Sequence, residues 1–278
     1  MDLTTLKDEQ LALGARFEGE GGTLASPSSY VGEPRPEDLE DGVALVDLSG
    51  MLLLLASGAQ AASFGGLALA GPKLAVGDCA LQASLLGDGA LASVPLVART
   101  GDAELLVMDP WPRHELLRSW LGFLRDVEQD GVRPFESLDL DDMSDRLVPL
   151  ALVGSTARLV LQDYVRGTER LPEPGEVVNL DLDGHITTIV ASPAGAGDAC
   201  LLLLVPPACA RVVWRSLLSF AVVTPLGHEG FLSWSRRRWR ALRSCASQDR
   251  IRVPRAQLER DGLVRPGRDF VGARGLDD

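Results

Sequence analysis

The sequence predicts an α+β fold of two units, each an antiparallel sheet with helices packed on one face. Three observations carry that reading. The same order of elements, β-α-β-β-β-α, is read twice along the chain. The two readings keep register: Gly58 and Ser155 each precede a first helix, Gly89 and Gly184 each sit in a middle hairpin, and Pro110 and Pro207 each lead into a last helix, at offsets of 97, 95 and 97 residues. The composition, 46% hydrophobic and 24% charged over 278 residues, is that of an ordered chain long enough to bury a core.

Taken in order, residues 43–57 read as a strand, 59–67 as a short helix, 78–86 as a strand, and 92–99 and Glu104–Asp109 as two more. Residues 114–124 read as a helix with Leu116, Leu117, Trp120, Leu121 and Leu124 on one face. The charged stretch 126–145, broken by Gly131 and Pro134, reads as an exposed connector. The second copy has strands at 147–153, 177–183, 186–192 and 199–205. Its helices are at 156–164 and 208–220, the last with Val212, Val213, Leu217 and Phe220 turned inward. Segments 19–36 and 167–175 are rich in Gly and Pro and read as irregular.

A formal charge of −12 argues against a nucleic-acid footprint. The N-terminus lacks the basic and apolar regions of a signal peptide, and the longest apolar run, 51–56, is too short to span a bilayer, so a cytoplasmic protein with no membrane contact is expected. Cys79, Cys200, Cys209 and Cys245 are scattered, with no paired spacing. His114, His185 and His228 are isolated, so no metal site is expected. No serine sits in a nucleophile elbow, and Gly195-Ala196-Gly197 lacks the Lys-Ser/Thr of a phosphate loop.

Two phrases go further. Leu6-Lys7-Asp8-Glu9-Gln10-Leu11-Ala12-Leu13-Gly14-Ala15 opens the chain, and Arg268-Asp269-Phe270-Val271-Gly272 stands near its end. They resemble phrases of the tetrahydrofolate-dependent aminomethyltransferases, the T-protein family of the glycine cleavage system. Val46-Asp47-Leu48-Ser49-Gly50-Met51 is similar to that family's Asp-x-Ser-His-Met strand, with Gly50 in place of the histidine. Gly87-Asp88-Gly89 resembles its glycine hairpin, and residues 105–109 the strand that usually ends in asparagine. The resemblance implies the family's folate-binding fold. It also implies a chain that stops before the family's last, barrel-like domain. The boundaries it implies are a first domain from 1–46 and 138–262, a second, ferredoxin-like domain over 47–137, and a linker remnant over 263–278.

The family's polar signatures have changed. Where it carries a pair of aspartates after the hairpin, this chain has Ser93 and Val94. A hydroxyl cannot supply a carboxylate's charge near neutral pH. Where it carries a pterin-gripping glutamate, this chain has Ala196, with Asp198 nearby. Where it carries Leu-Arg-x-Glu, this chain has Arg236 in a basic run with Arg237, Arg238, Arg240 and Arg243, and no acidic partner. Trp234 and Trp239 beside them read as core or cation–π packing rather than a base-stacking platform.

Carried over residue by residue, the resemblance implies Ser93 and Asp88 as what remains at the one-carbon centre. It implies Met51, Val107, Asp109, Asp198 and Arg236 as cofactor contacts, and tetrahydrofolate as the cofactor. The partners implied are a small amine or methyl donor, or a lipoyl carrier protein, together with a protein that covers the open side of the channel. An apolar rim at 264–276 is the expected footprint of that cover. The leading expectation is folate-linked one-carbon transfer with degenerate catalytic residues. The alternatives are a non-catalytic binding or assembly subunit on the same fold, and a folate-dependent demethylase. Cys245 stands in Ser-Cys-Ala-Ser, unlike the cysteine phrase of the iron–sulfur assembly relatives.

Overall fold

The computed structural model describes residues 6–17, 25–165, 169–195, 199–240, 242–243 and 250–276. The chain divides into two compact units, one of Met1–Gly50 with Ser144–Arg238, the other of Met51–Met143 with Trp239–Asp278. No helix among the described residues is long and apolar enough to cross a membrane.

In the first unit six strands run in the order Val177–Leu182, Ile186–Ala191, Cys200–Val205, Val148–Val153, Val43–Asp47, Val223–Leu226. All neighbours are antiparallel except the last pair, which is parallel. Alternate residues of the central strands, among them Leu45, Leu150, Leu152, Leu201 and Leu203, meet Leu161, Val213, Trp214 and Leu217 of the helices Ala157–Val165 and Pro207–Leu218. Each of those side chains is almost wholly buried, and removing one from water is worth roughly 2 kcal/mol. Val212, expected inward, is 52% exposed; the helix turns Ala210, Val213, Trp214 and Leu217 to the sheet instead.

In the second unit five antiparallel strands run Asp139–Asp142, Leu52–Ser57, Glu104–Asp109, Leu96–Gly101, Cys79–Leu81. Their inner face, with Leu52, Leu54, Val97, Leu105 and Val107, packs on the helices Ala61–Ala68 and His114–Asp126.

The repeat is therefore one of topology. In each unit the first strand pairs with the fourth, the fourth with the third and the third with the second. A fifth strand lies outside the first in both, Val43–Asp47 in one unit and Asp139–Asp142 in the other. The turn into the first helix is the same local structure twice. Gly58 (φ +113°) donates its N–H to the Ala103 carbonyl and accepts from Ala61 N–H. Gly154 (φ +122°) donates to Ala199 and accepts from Ala157 N–H. The equivalent of Gly58 is thus Gly154 rather than Ser155. Both glycines are required by φ, and also by space: a Cβ would lie 2.8 Å from the Ser137 carbonyl oxygen in one case and 2.2 Å from that of Gly42 in the other.

Four segments differ from the sequence reading. The apolar run 43–57 is cut at Asp47–Met51, and its halves enter different sheets. The run 78–86 becomes Cys79–Leu81 and Ser84–Leu85. Residues 92–99 break at Pro95, which has no N–H for a ladder, into Leu91–Ser93 and Leu96–Gly101. The charged connector contains the edge strand Asp139–Asp142, whose alternating acids face solvent as edges commonly do.

Residues 264–276 form no exposed apolar rim: Val264, Phe270, Ala273 and Leu276 are buried within the second unit. Arg265 anchors the segment. Its guanidinium donates to the carbonyls of Leu69 (2.7 Å), Gly71 (3.0 Å), Gly66 and Asp269, and through Nε to Asp269 Oδ1 (2.9 Å), while lying 5.0 Å from the Phe270 ring centroid. The Asp269-Phe270-Val271-Gly272 phrase follows directly: Val271 N–H bonds the Leu67 carbonyl, and a Cβ at Gly272 would lie 2.5 Å from the Leu86 carbonyl oxygen.

Two outcomes follow. Gly154→Ala is expected to lose about 2–4 kcal/mol in chemical denaturation, while Gly66→Ala, in a helix with open space at its Cβ, shifts stability by less than about 1 kcal/mol. Arg265→Lys keeps the charge but cannot fill a five-contact planar fork, and is expected to cost roughly 2–3 kcal/mol in the same measurement.

Candidate functional site

The strand Glu104–Asp109 ends on an aspartate and is followed at once by Pro110-Trp111-Pro112-Arg113, which turns the chain into the helix His114–Asp126. The two prolines disfavour continuation of the strand. The Asp109 side chain closes the turn by accepting Trp111 N–H at 3.0 Å on Oδ1. The indole Nε1–H of Trp111 then donates to the Val94 carbonyl at 2.9 Å. That bond fastens the end of Leu91–Ser93 to the turn and sets the Ser93 hydroxyl beside the Asp109 carboxylate.

The pair is enclosed: Asp109 is 0% and Ser93 1% exposed. Among the described residues, Asp109 Oδ2, Ser93 Oγ and Arg113 Nη1 are buried without a hydrogen-bond partner of normal geometry. Unpaired buried groups cost free energy, so a buried carboxylate with one oxygen short of a well-aligned partner beside a buried hydroxyl is a costly arrangement. Burial pushes Asp109 up to about 6, against the smaller lowering effects of the Ser93 hydroxyl, Trp111 N–H and the His114 ring. At pH 7 this carboxyl is mostly ionised and an acceptor, and its protonated, donating form becomes populated about a pH unit lower.

The other residues singled out by sequence fall elsewhere. Asp88 belongs to a turn: Oδ1 accepts Ala90 N–H at 3.1 Å, and the carboxylate is ion-paired with Arg250 and with Arg252 at 3.3 Å. Val107 lies in the core between sheet and helices, and Met51 is buried at the bend that opens Leu52–Ser57. Arg236 is partly buried on the helix His228–Arg238, in the first unit, whereas Ser93 and Asp109 are in the second. Asp198, Ala196 and Cys245 lie outside the described residues. Of the residues singled out by sequence, then, Ser93 and Asp109 are brought together. Trp111 and Arg113 were missed. Their signal was the Asp-Pro-Trp-Pro-Arg turn itself, where an aspartate followed by alternating prolines announces a side chain that bonds its own backbone.

The opening phrase has a structural explanation. Gln10 Nε2 donates to Asp47 Oδ2 at 2.7 Å, while Asp47 Oδ1 accepts the N–H and hydroxyl of Ser49 at 2.9 and 2.6 Å. Asp47 is buried and its pKa raised by that burial, with the three donors acting in the opposite sense. These bonds join the chain's opening phrase to its Asp-x-Ser phrase inside the first unit.

Asp109 generates a measurable pH dependence. Its carboxyl is harder to ionise folded than unfolded, so its contribution favours the fold most below pH about 4 and is lost as pH rises through about 6. Asp109→Asn removes that loss and keeps a side chain able to accept from Trp111 N–H. The variant is expected to be more stable than the parent by roughly 2–3 kcal/mol at pH 7.5, and the gap to close at pH 4, in urea melts at both pH values.

No protein-family model matches the chain, and no curated protein matches it by sequence. By structure it is similar to the glycine cleavage system aminomethyltransferase T from Bartonella henselae, with a TM-score of 0.64 and 18% identity, covering 98% of this chain and 73% of that one. A looser likeness, with a TM-score of 0.43 and 15% identity over 79% of this chain and 99% of the other, is to a chain of the heterotetrameric sarcosine oxidase from Corynebacterium sp. U-96 in complex with pyrrole 2-carboxylate. The α+β architecture described above is the fold of the aminomethyltransferase T protein.

Proposed function

We propose that the chain binds a reduced folate, tetrahydrofolate or a one-carbon derivative of it, at the Ser93–Asp109 pair, and that it is a poor aminomethyltransferase. The observation that carries the reading is the set of orphaned buried polar atoms, Asp109 Oδ2, Ser93 Oγ and Arg113 Nη1, in a unit of the aminomethyltransferase T fold. They supply an acceptor, a hydroxyl that can act either way and a cationic donor. A pterin ring presents N–H donors and ring acceptors on one edge, and a carboxylate suits an aminopyrimidine edge because it accepts two parallel N–H bonds. The folate, when bound, would supply the carrier nitrogens for a one-carbon unit.

What this chain's own residues do is more limited. Asp109 would bind and orient; Ser93 would hold a proton at Oγ without adding charge. Trp111 keeps the two in place through Val94. Enclosure of the pair makes ligand access a conformational step. It would also exclude water once the ligand is in, which strengthens every polar contact inside.

The second reading, a binding or assembly subunit without turnover, is favoured by Ser93 in place of a carboxylate and by the capture of Asp88 in ion pairs. Calorimetric titration with tetrahydrofolate and 5-formyltetrahydrofolate separates binding from its absence, and single-turnover assays with amine and methyl donors separate the two readings. Micromolar binding is expected, weakened at least tenfold by Asp109→Ala and several-fold by Ser93→Ala, both folded by circular dichroism. No saturable heat at millimolar ligand would overturn the folate reading and leave the fold as a scaffold.

A further inference from the structure

We propose that a cleft in the second unit, at the far end of the strand Glu104–Asp109 from Asp109, binds a small amphipathic anion, an apolar body carrying one carboxylate. The cleft has a volume of about 530 Å³ and opens beside the helix Ala61–Ala68. That volume falls within the range of small-molecule sites. The floor is apolar, built from Val97, Leu105, Leu69 and Phe135. One wall is helix backbone, because Gly65 and Gly66 present no side chain. A Cβ on Gly65 would strike Leu105 Cδ1 at 2.3 Å, whereas a Cβ on Gly66 meets nothing within 4 Å. Gly66 lines the cleft and has open space in front of it.

The charge around this floor is the opposite of the protein's. Lys73, Arg99 and Arg265 line the cleft against a single carboxylate, Asp269, in a chain whose formal charge is −12. Arg265 is held rigidly by backbone carbonyls and Asp269. Arg99 is fixed likewise, donating to the carbonyls of Leu74 (3.0 Å), Asp102 (3.2 Å) and Gly101 (3.4 Å). Those bonds fill three of its five N–H positions. Lys73 is mobile by comparison: its side chain is 73% exposed and its pairing with Asp269, at 3.3 Å, is of the weak surface kind. Two fixed guanidinium charges and the exposed Lys73 ammonium, set against the one carboxylate of Asp269, give the apolar cleft a net positive lining that attracts an anion with a hydrophobic tail and repels a cation with the same tail. The cleft shares no residue with the Ser93–Asp109 pair, so this inference stands apart from the folate reading.

Decanoate and decyltrimethylammonium, matched in tail and opposite in charge, test it by calorimetry on the full chain at low ionic strength. Decanoate is expected to bind at one saturable site, at least tenfold more tightly than decyltrimethylammonium. Gly66→Leu, which fills the cleft from a helix position with room for a side chain, is expected to abolish decanoate binding while leaving the melting temperature unchanged or higher. Lys73→Glu, an exposed change, should weaken decanoate about tenfold and narrow the preference over the cation. Absence of saturable decanoate binding, equal binding of the two probes, or undiminished binding by folded Gly66→Leu would each overturn the proposal.

Discussion

The buried carboxylate of Asp47 stands where the largely apolar stretch 43–57 is cut in two, and the division into two sheets depends on that cut. Residues 43–57 are hydrophobic enough to continue as one strand. They do not, because Asp47 turns back to accept both the N–H and the hydroxyl of Ser49, and Gly50 follows at φ +93°, where an L residue would be strained. The four residues before Asp47 then complete one sheet beside Val148–Val153, and the six from Leu52 open the other beside Glu104–Asp109. Burying a carboxylate is costly unless its oxygens are occupied, and Gln10 takes the remaining one. The opening helix Lys7–Ala12 is thereby tied to the turn it serves.

The other end of the chain is held by an equally local device. Arg265 gathers the carbonyls of 66, 69 and 71, which a helix end and its following loop would otherwise leave unpaired. The closing phrase is in this sense mechanical: its glycine permits contact with the Ser84–Leu85 hairpin, its aspartate steadies the arginine, and its phenylalanine lies under the guanidinium. Both phrases that made the sequence resemble a folate enzyme are thus accounted for by packing and hydrogen bonding within one unit each. They speak for the fold, and chemistry has to be argued elsewhere.

Much of the architecture was legible because hydrophobic periodicity and turn residues report local structure. The two β-α-β-β-β-α passages, the Pro110 and Pro207 helix entrances and the Gly58 turn were all read from spacing. What escaped was decided by distant partners. The local turn of Asp47, Ser49 and Gly50 is hidden by apolar residues on both sides, and the partner that completes the burial of Asp47, Gln10, lies 37 residues away. Asp139–Asp142 looks like a solvated linker until Leu52–Ser57 offers it an edge. Val212 is apolar yet 52% exposed, because the helix turns Ala210, Val213, Trp214 and Leu217 to the sheet. At the site, Ser93 and Asp109 are both implied by the family resemblance, whereas Trp111 and Arg113 needed the three-dimensional turn.

The chemistry that remains is concentrated in one enclosed carboxyl with an unoccupied oxygen. A buried group poised near pH 6 senses any ligand that offers it N–H donors, because such donors stabilise the ionised form and pull its titration down. Carbon-13 NMR of the Asp109 carboxyl across pH, with and without saturating 5-formyltetrahydrofolate, reads this directly. The account predicts a midpoint near 6 in the free protein that moves clearly downward with the ligand. A midpoint that stays in place under saturating ligand would contradict it.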